Sequence, residues 1–191
     1  DRQLTMVGES HVMRQLREQV AMAAPTNGRV LILGENGTGK ELVARAVHRD
    51  STRSERPFVA INCGAIAEGV LESELFGHER GAFTGTVSRR DGLFFKTDNG
   101  TVFLDEIGET KPDMQVKLLR FLEDGTFYPV ESSTPRRANV RVVAATNRDL
   151  MEAIADKKFR EDLYFRLSVV KVVLPPLLSR KGDIQPLLQH F

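Results

Sequence analysis

The chain has 191 residues, enough for one sizeable α/β core. Its 27 Lys and Arg against 26 Asp and Glu leave a net charge of +1, which argues against a dedicated nucleic-acid-binding domain with its strong basic excess. Cys63 is the single cysteine, no apolar run approaches the roughly 18 residues of a membrane span, and Asp1-Arg2-Gln3 is no signal peptide; these exclude an internal disulfide and fit a reducing, cytoplasmic setting with no membrane partner.

In chain order, Val12, Leu16, Val20 and Ala23 recur at helical spacing over 10–23, with Ser10 as N-cap. Val30-Leu31-Ile32-Leu33 is a continuous apolar run, as expected of a strand covered on both faces. A glycine-rich loop follows, then a helix over 40–49, a strand at Phe58–Ile61 and a helix over 68–76. Gly77, Gly81, Gly85 and Gly92 interrupt any helix, so 77–92 reads as an insertion loop. Val102-Phe103-Leu104 is the third strand, and Pro112 opens a helix running to 124. Phe127–Val130 reads as a hairpin edge, Val140–Ala145 as the fourth strand, 149–155 and 159–166 as helices, and Val169–Leu174 as the fifth strand. Pro175-Pro176 ends it, and a new helix begins near Asp183. Buried strands alternating with helices predict an open, mostly parallel sheet with ligands at the carboxyl ends of its strands.

Gly34-Glu35-Asn36-Gly37-Thr38-Gly39-Lys40 lies between a predicted strand and a predicted helix, the context that makes its spacing a phosphate-binding loop. Glycines let successive N–H groups turn inward and oxyanions come close. The following helix adds its N-terminal partial charge, and Lys40 would reach the β- and γ-phosphates. The residue after the lysine is Glu41 instead of a hydroxyl ligand for Mg²⁺. The bland alternative is a glycine-rich turn with no ligand.

Asp105 and Glu106 close the strand Val102–Leu104. Mg²⁺ keeps several waters and needs few carboxylates, so Asp105 would hold it through its water shell together with phosphate oxygens. Glu106 would polarise an attacking water. Asn62, ending the neighbouring strand, would hydrogen-bond Glu106 and hold it aside. Taken alone, the two acids read equally well as helix caps.

Five stretches come in a familiar order: Gly34–Glu41, Glu74-Leu75-Phe76-Gly77-His78-Glu79-Arg80-Gly81-Ala82-Phe83-Thr84-Gly85, Leu104-Asp105-Glu106-Ile107-Gly108-Glu109, Ala145-Thr146-Asn147-Arg148-Asp149-Leu150, and Phe159-Arg160-Glu161-Asp162-Leu163-Tyr164-Phe165-Arg166-Leu167. In these the chain resembles the central ATPase domain of bacterial sigma-54-dependent transcriptional activators, a branch of the AAA+ P-loop NTPases. The resemblance implies an AAA+ fold over 1–174, with a five-stranded sheet and helices on both faces, and the start of a helical lid, largely absent, at 175–191. It implies a hexameric or heptameric ring that hydrolyses ATP with Mg²⁺ between subunits. That ring would open a closed promoter complex of sigma-54 RNA polymerase, meeting DNA only through a domain outside this chain. Glu41 is common in that family.

The loop Gly81-Ala82-Phe83-Thr84-Gly85-Thr86 would touch the sigma factor, with Phe83 and Thr84 at its tip. An exposed Phe between glycines makes sense as a mobile contact; the alternative is that Phe83 folds back onto the core. Thr86 departs from the family's alanine, which bears on sigma-54 coupling and not on hydrolysis. The resemblance makes Asn147 a first sensor that orients water, Arg160 and Arg166 arginine fingers acting in the neighbouring subunit, and Val7-Gly8 an adenine-packing segment. The local alternative for Asn147 is a turn residue capping the helix that begins near Asp149, and for the arginines a solvated place or surface ion pairs with Glu161 and Asp162. Cys63 reads as a small buried residue, and the four histidines show no metal-ligand spacing. Two rival functions stay open: a nucleotide-gated binding module without turnover, and another AAA+ remodeller such as an unfoldase.

Overall fold

In a computed structural model, residues 6–82 and 88–190 are described. Five parallel strands form the central sheet: β1 (Val30–Leu33), β2 (Phe58–Asn62), β5 (Thr101–Asp105), β8 (Arg141–Thr146) and β9 (Val170–Val173), in the order β2-β5-β8-β1-β9. Every pairing is parallel, and the register sets Leu33 beside Thr146 and Asn62 beside Asp105. All five strands therefore end at one rim.

Because side chains alternate along a strand, each strand supplies both faces. Leu31, Val102, Leu104, Val142 and Ala144 pack with α3 (Glu68–Phe76), α5 (Pro112–Asp124) and α7 (Glu161–Leu167). Val30, Ile32, Phe103, Val143, Ala145 and Val172 pack with α1 (His11–Ala23) and α2 (Lys40–Arg49). The near-continuous apolar strands follow from this double cover. Truncating a fully buried Leu31 or Phe103 to alanine would cost about 2–5 kcal/mol.

The element boundaries follow local chemistry. Ser10 caps α1, its Oγ accepting from Met13 N at 3.3 Å, and the buried stripe runs through Met13 where the periodicity pointed to Val12. Pro112 occupies the first turn of α5, and Gly125 ends it in the left-handed conformation at φ 78°. α6 (Leu150–Ala155) is capped by Asp149, which accepts from Met151 N and Glu152 N. Asp149 thus makes the cap that was one local reading of Asn147.

The insertion differs from a plain loop. Two-residue strands β3 (Gly77–His78) and β4 (Arg90–Asp91) pair antiparallel at its base. The chain then enters a short helix, α4 (Leu93–Lys96), whose Phe94 is fully buried and stacks on Phe121 at 3.9 Å. That helix anchors the returning arm. The predicted hairpin edge at Phe127–Val130 is instead β6 (Thr126–Phe127) against β7 (Arg136–Arg137). After β9 come a 3-10 segment (Leu177–Asp183) and α8 (Ile184–His190). Among the described residues no helix is long and apolar enough to cross a membrane.

Candidate nucleotide site

The loop after β1 sits at the rim where the strands end. Gly37 and Gly39 hold φ of 75° and 97°, a region that side chains with a Cβ rarely enter. A Cβ on Gly34 would meet Thr38 Oγ1 at 2.9 Å and Leu174 at 3.0 Å. Gly34 N donates to Thr146 O at 3.2 Å, tying the loop's start to the end of β8. Lys40 opens α2 and is 6% exposed; its Nζ donates to the carbonyls of Gly34 (3.1 Å) and Glu35 (3.0 Å). An ammonium held by its own loop's carbonyls has a place ready for a phosphate to take. Glu41 turns away from the loop to pair with Arg45 at 2.7 Å.

Asp105 ends β5, and its Oδ1 accepts from Glu106 N at 2.9 Å. Burial pushes its carboxyl above the usual range, against the Glu106 N–H and the Lys40 charge, which pull it down. Glu106 is strained: at φ 53°, ψ 43° it is a non-glycine in the left-handed region. Such a conformation costs ~1–3 kcal/mol and tends to be kept where function needs the side chain aimed. It opens a 3-10 turn (Ile107–Glu109). Its carboxylate lies against Gly64, where a Cβ would come within 2.1 Å of Oε2.

The expected bond from Asn62 to Glu106 is replaced by a local one. Asn62 Oδ1 accepts from Gly64 N (2.9 Å) and Ala65 N (3.0 Å). An Asn at a strand end finds its own turn before it finds a neighbouring strand. Asn62 therefore shapes the wall on which Glu106 rests. Asn147 is exposed and lines, with Gly34 and Glu35, a cavity of about 390 Å³ beside the loop. Arg148 pairs with Glu109 at 2.5 Å, joining the β8 loop to the turn after Glu106.

The two finger candidates fare differently. Arg160 forms a two-point ion pair with Asp162 at 2.9 and 2.7 Å. Arg166 lies in the last turn of α7, where its carbonyl accepts from Arg29 at 3.4 Å. Phe83, Thr84, Gly85 and Thr86 lie outside the described residues. Gly81 and Ala82 lie within them, Ala82 N donating to Glu79 O at 3.3 Å. Cys63 is buried, and burial next to Asp105 and Glu106 pushes its thiol up to about 12, so it is inert.

On the other side of the loop, a cavity of about 440 Å³ is walled by Val7, Met13, Leu42, Leu174 and Leu177 and floored by Glu35–Gly39. Gly8, paired in the sequence reading with Val7 against adenine, instead meets Asp183: at φ 135°, a Cβ there would come within 2.8 Å of the carboxylate. Asp183 is fully buried and accepts from Glu9 N (2.8 Å), Ser10 N (2.8 Å) and Ser10 Oγ (2.6 Å). Sequence reasoning missed this clasp; Gly8 and Ser10 were its only local trace. A larger cavity, about 610 Å³, lies at the opposite rim among Arg29, Asp98, Asn139 and neighbours, away from every phosphate-loop residue.

The cradle fits a nucleotide: a glycine loop with two residues at positive φ, a buried lysine, a strand-end aspartate and a flanking apolar cavity. Among the described residues no cluster of three or more His, Cys, Asp or Glu could hold a metal ion by itself. Asp105, at the end of β5, is the carboxylate there that would meet a divalent cation carried in by phosphates.

Fold and site together define an AAA+ P-loop NTPase domain. A solved P-loop NTPase domain of an Escherichia coli sigma-54 activator shares the fold at TM-score 0.60 and 18% identity, over 90% of this chain and 99% of that one. The chain belongs to the sigma-54 interaction domain family, whose model matches residues 6–173. It is 54% identical over 186 residues to a Nif-specific regulatory protein of Bradyrhizobium diazoefficiens, covering 97% of this chain and 32% of that protein. It is 52% identical over 189 residues to the transcriptional regulatory protein ZraR of Klebsiella oxytoca, covering 99% and 43%. The chain thus spans about a third to a half of these relatives. NtrX of Brucella abortus, crystallised with ADP, superposes at TM-score 0.89 with 40% identity, over 98% of this chain and 41% of that one.

Proposed function

We propose that this chain binds ATP with Mg²⁺, hydrolyses it between subunits of a hexameric or heptameric ring, and uses the cycle to activate transcription by remodelling the sigma-54 RNA polymerase closed promoter complex in the cytoplasm. The observation that carries the reading is the convergence of Lys40, Asp105, Glu106 and Asn147 on one rim, in a member of the sigma-54 interaction domain family. NtrX, similar over nearly the whole chain, was crystallised with ATP and with ADP.

In this reading the loop N–H groups and Lys40 hold the phosphates, and Lys40 exchanges its two carbonyl partners for phosphate oxygens. Asp105 would hold Mg²⁺ through its water shell; the ion, when bound, would neutralise charge on the phosphates. Glu106 swings from Gly64 and polarises the attacking water, which Asn147 orients. Arg160 and Arg166 reach the neighbouring subunit, Arg160 after leaving Asp162. An arginine so placed is worth on the order of 10³–10⁵ in rate. Val7 packs on the base. Gly81–Thr86 meets sigma-54, and residues 175–191 begin a lid.

The test is ATP turnover per subunit against protein concentration, with Mg²⁺. A rate that climbs with concentration is expected from trans arginines. A flat, nonzero rate would remove Arg160 and Arg166 from the mechanism, and a Phe83→Ala variant that still captured sigma-54 would remove the loop assignment.

A further inference from the structure

Arg180 is the only Lys or Arg among the described residues lining the 440 Å³ cavity. It is 8% exposed, and its bonds are poor for a buried cation. One terminal nitrogen lies 3.2 Å from the Met13 sulfur, a weak acceptor, and the other lies 3.4 Å from the Thr38 carbonyl. Its Nε has no hydrogen-bond partner among the described residues. The nearby Asp183 feels its charge but accepts no hydrogen bond from it, since that carboxylate is committed to Glu9 and Ser10. A buried donor without an acceptor is costly, and one that faces a cavity is placed to be satisfied by what enters it.

The position says which part of a ligand that is. In the proposed reading the loop fixes the phosphate end of a nucleotide. Arg180 bonds a carbonyl of this loop, on the side where the loop meets the apolar walls. Those walls suit a flat heterocycle, whose ring nitrogens are acceptors. We infer that Arg180 is a base-reading residue, whose guanidinium donates to a ring nitrogen of the purine lodged in this cavity. The inference rests on the reading of the loop as a nucleotide site.

Calorimetric titration of the whole chain with Mg²⁺-ADP and with Mg²⁺-tripolyphosphate, which has no base, tests it. Arg180→Met keeps the apolar stem and withdraws the donors. Its ADP affinity should fall roughly ten- to a hundredfold, while its tripolyphosphate affinity stays that of the unaltered chain. Equal losses for both ligands would mean that Arg180 acts on the loop through Thr38, and no loss for either would leave it without a nucleotide role; both outcomes overturn the inference. Arg180→Lys keeps charge and stem but not the planar fork, and should show the same split if the methionine variant does not fold. Lys40→Ala separates the two readings. Loss of both ligands in that variant, with none in Arg180→Met, sinks the base reading alone. An unaltered chain that binds no ADP sinks the nucleotide site and the inference with it.

Discussion

Arg141 and Arg180 are nearly equally buried, 2% and 8% exposed, yet their guanidinium groups are satisfied in opposite ways. Arg141, at the amino-terminal rim of the sheet, donates to the carbonyls of Gly28 (3.2 Å), Ala24 (2.7 Å) and Ala23 (2.8 Å). It caps the carboxyl end of α1 with charge-assisted bonds and closes a structural joint. Arg180, at the carboxyl-terminal rim, has a sulfur, one long bond and an orphaned Nε. The same rim carries the strained Glu106 and a Lys40 bonded to loop carbonyls. One rim has its buried guanidinium fully bonded, and the other leaves donors poorly met. That difference separates residues that hold the fold from residues that wait for chemistry.

Substitutions at the two rims should therefore separate activity from stability. Glu106→Gln should lower ATP turnover about 10²–10⁴-fold while nucleotide binding survives, read by phosphate release beside equilibrium binding. Turnover unaffected by that change would remove Glu106 from the chemistry. Arg141→Met should do the reverse: three carbonyls lose their donors, the urea midpoint falls by the equivalent of about 2–4 kcal/mol, and turnover per folded chain is kept.

Asp183 sharpens the contrast, because it is a structural group placed at the reactive rim. Burial pushes its carboxyl up, but the bonds from Ser10 and Glu9, with the Arg180 charge beside them, outweigh this and hold it below the usual range. A folded-state pKa below the unfolded one gives stability that is fully present above the unfolded value, about 3.9, and is lost as pH falls through the folded value. Urea midpoints should drop below about pH 4, and Asp183→Asn should flatten that drop; an unchanged profile would mean the clasp contributes nothing. The smallest effect belongs to Glu109–Arg148, whose side chains are 32% and 48% exposed. Glu109→Ala should cost about 0.2–1 kcal/mol, less at high salt.

The central sheet was legible because each strand is a short apolar run buried on both faces, a signal carried within four to six residues. The phosphate loop and the Asp105–Glu106 pair were legible for the same reason. What escaped depends on distance or brevity. α4 is a four-residue helix whose purpose is to bury Phe94, and no periodicity develops over so short a span. The β6–β7 hairpin hid because Arg136 and Arg137 look like loop residues until they pair with Thr126 and Phe127. Asn62 was assigned a partner across the sheet, and its own turn competed more strongly. Asp183 and Arg180 could not be read locally, since their partners lie more than 140 residues away.

The meeting of Asp183 with Glu9 and Ser10 also has a mechanical side. Two stretches 173 and 174 residues apart are knotted by three hydrogen bonds, and the knot stands at the edge of the cavity beside the phosphate loop. Arg17, donating from α1 to the carbonyls of Met6 and Gly8, braces the same stretch on its other flank. Val7 is thereby fixed in the cavity wall from both sides by side chains, independently of the hydrogen-bond ladder of the sheet.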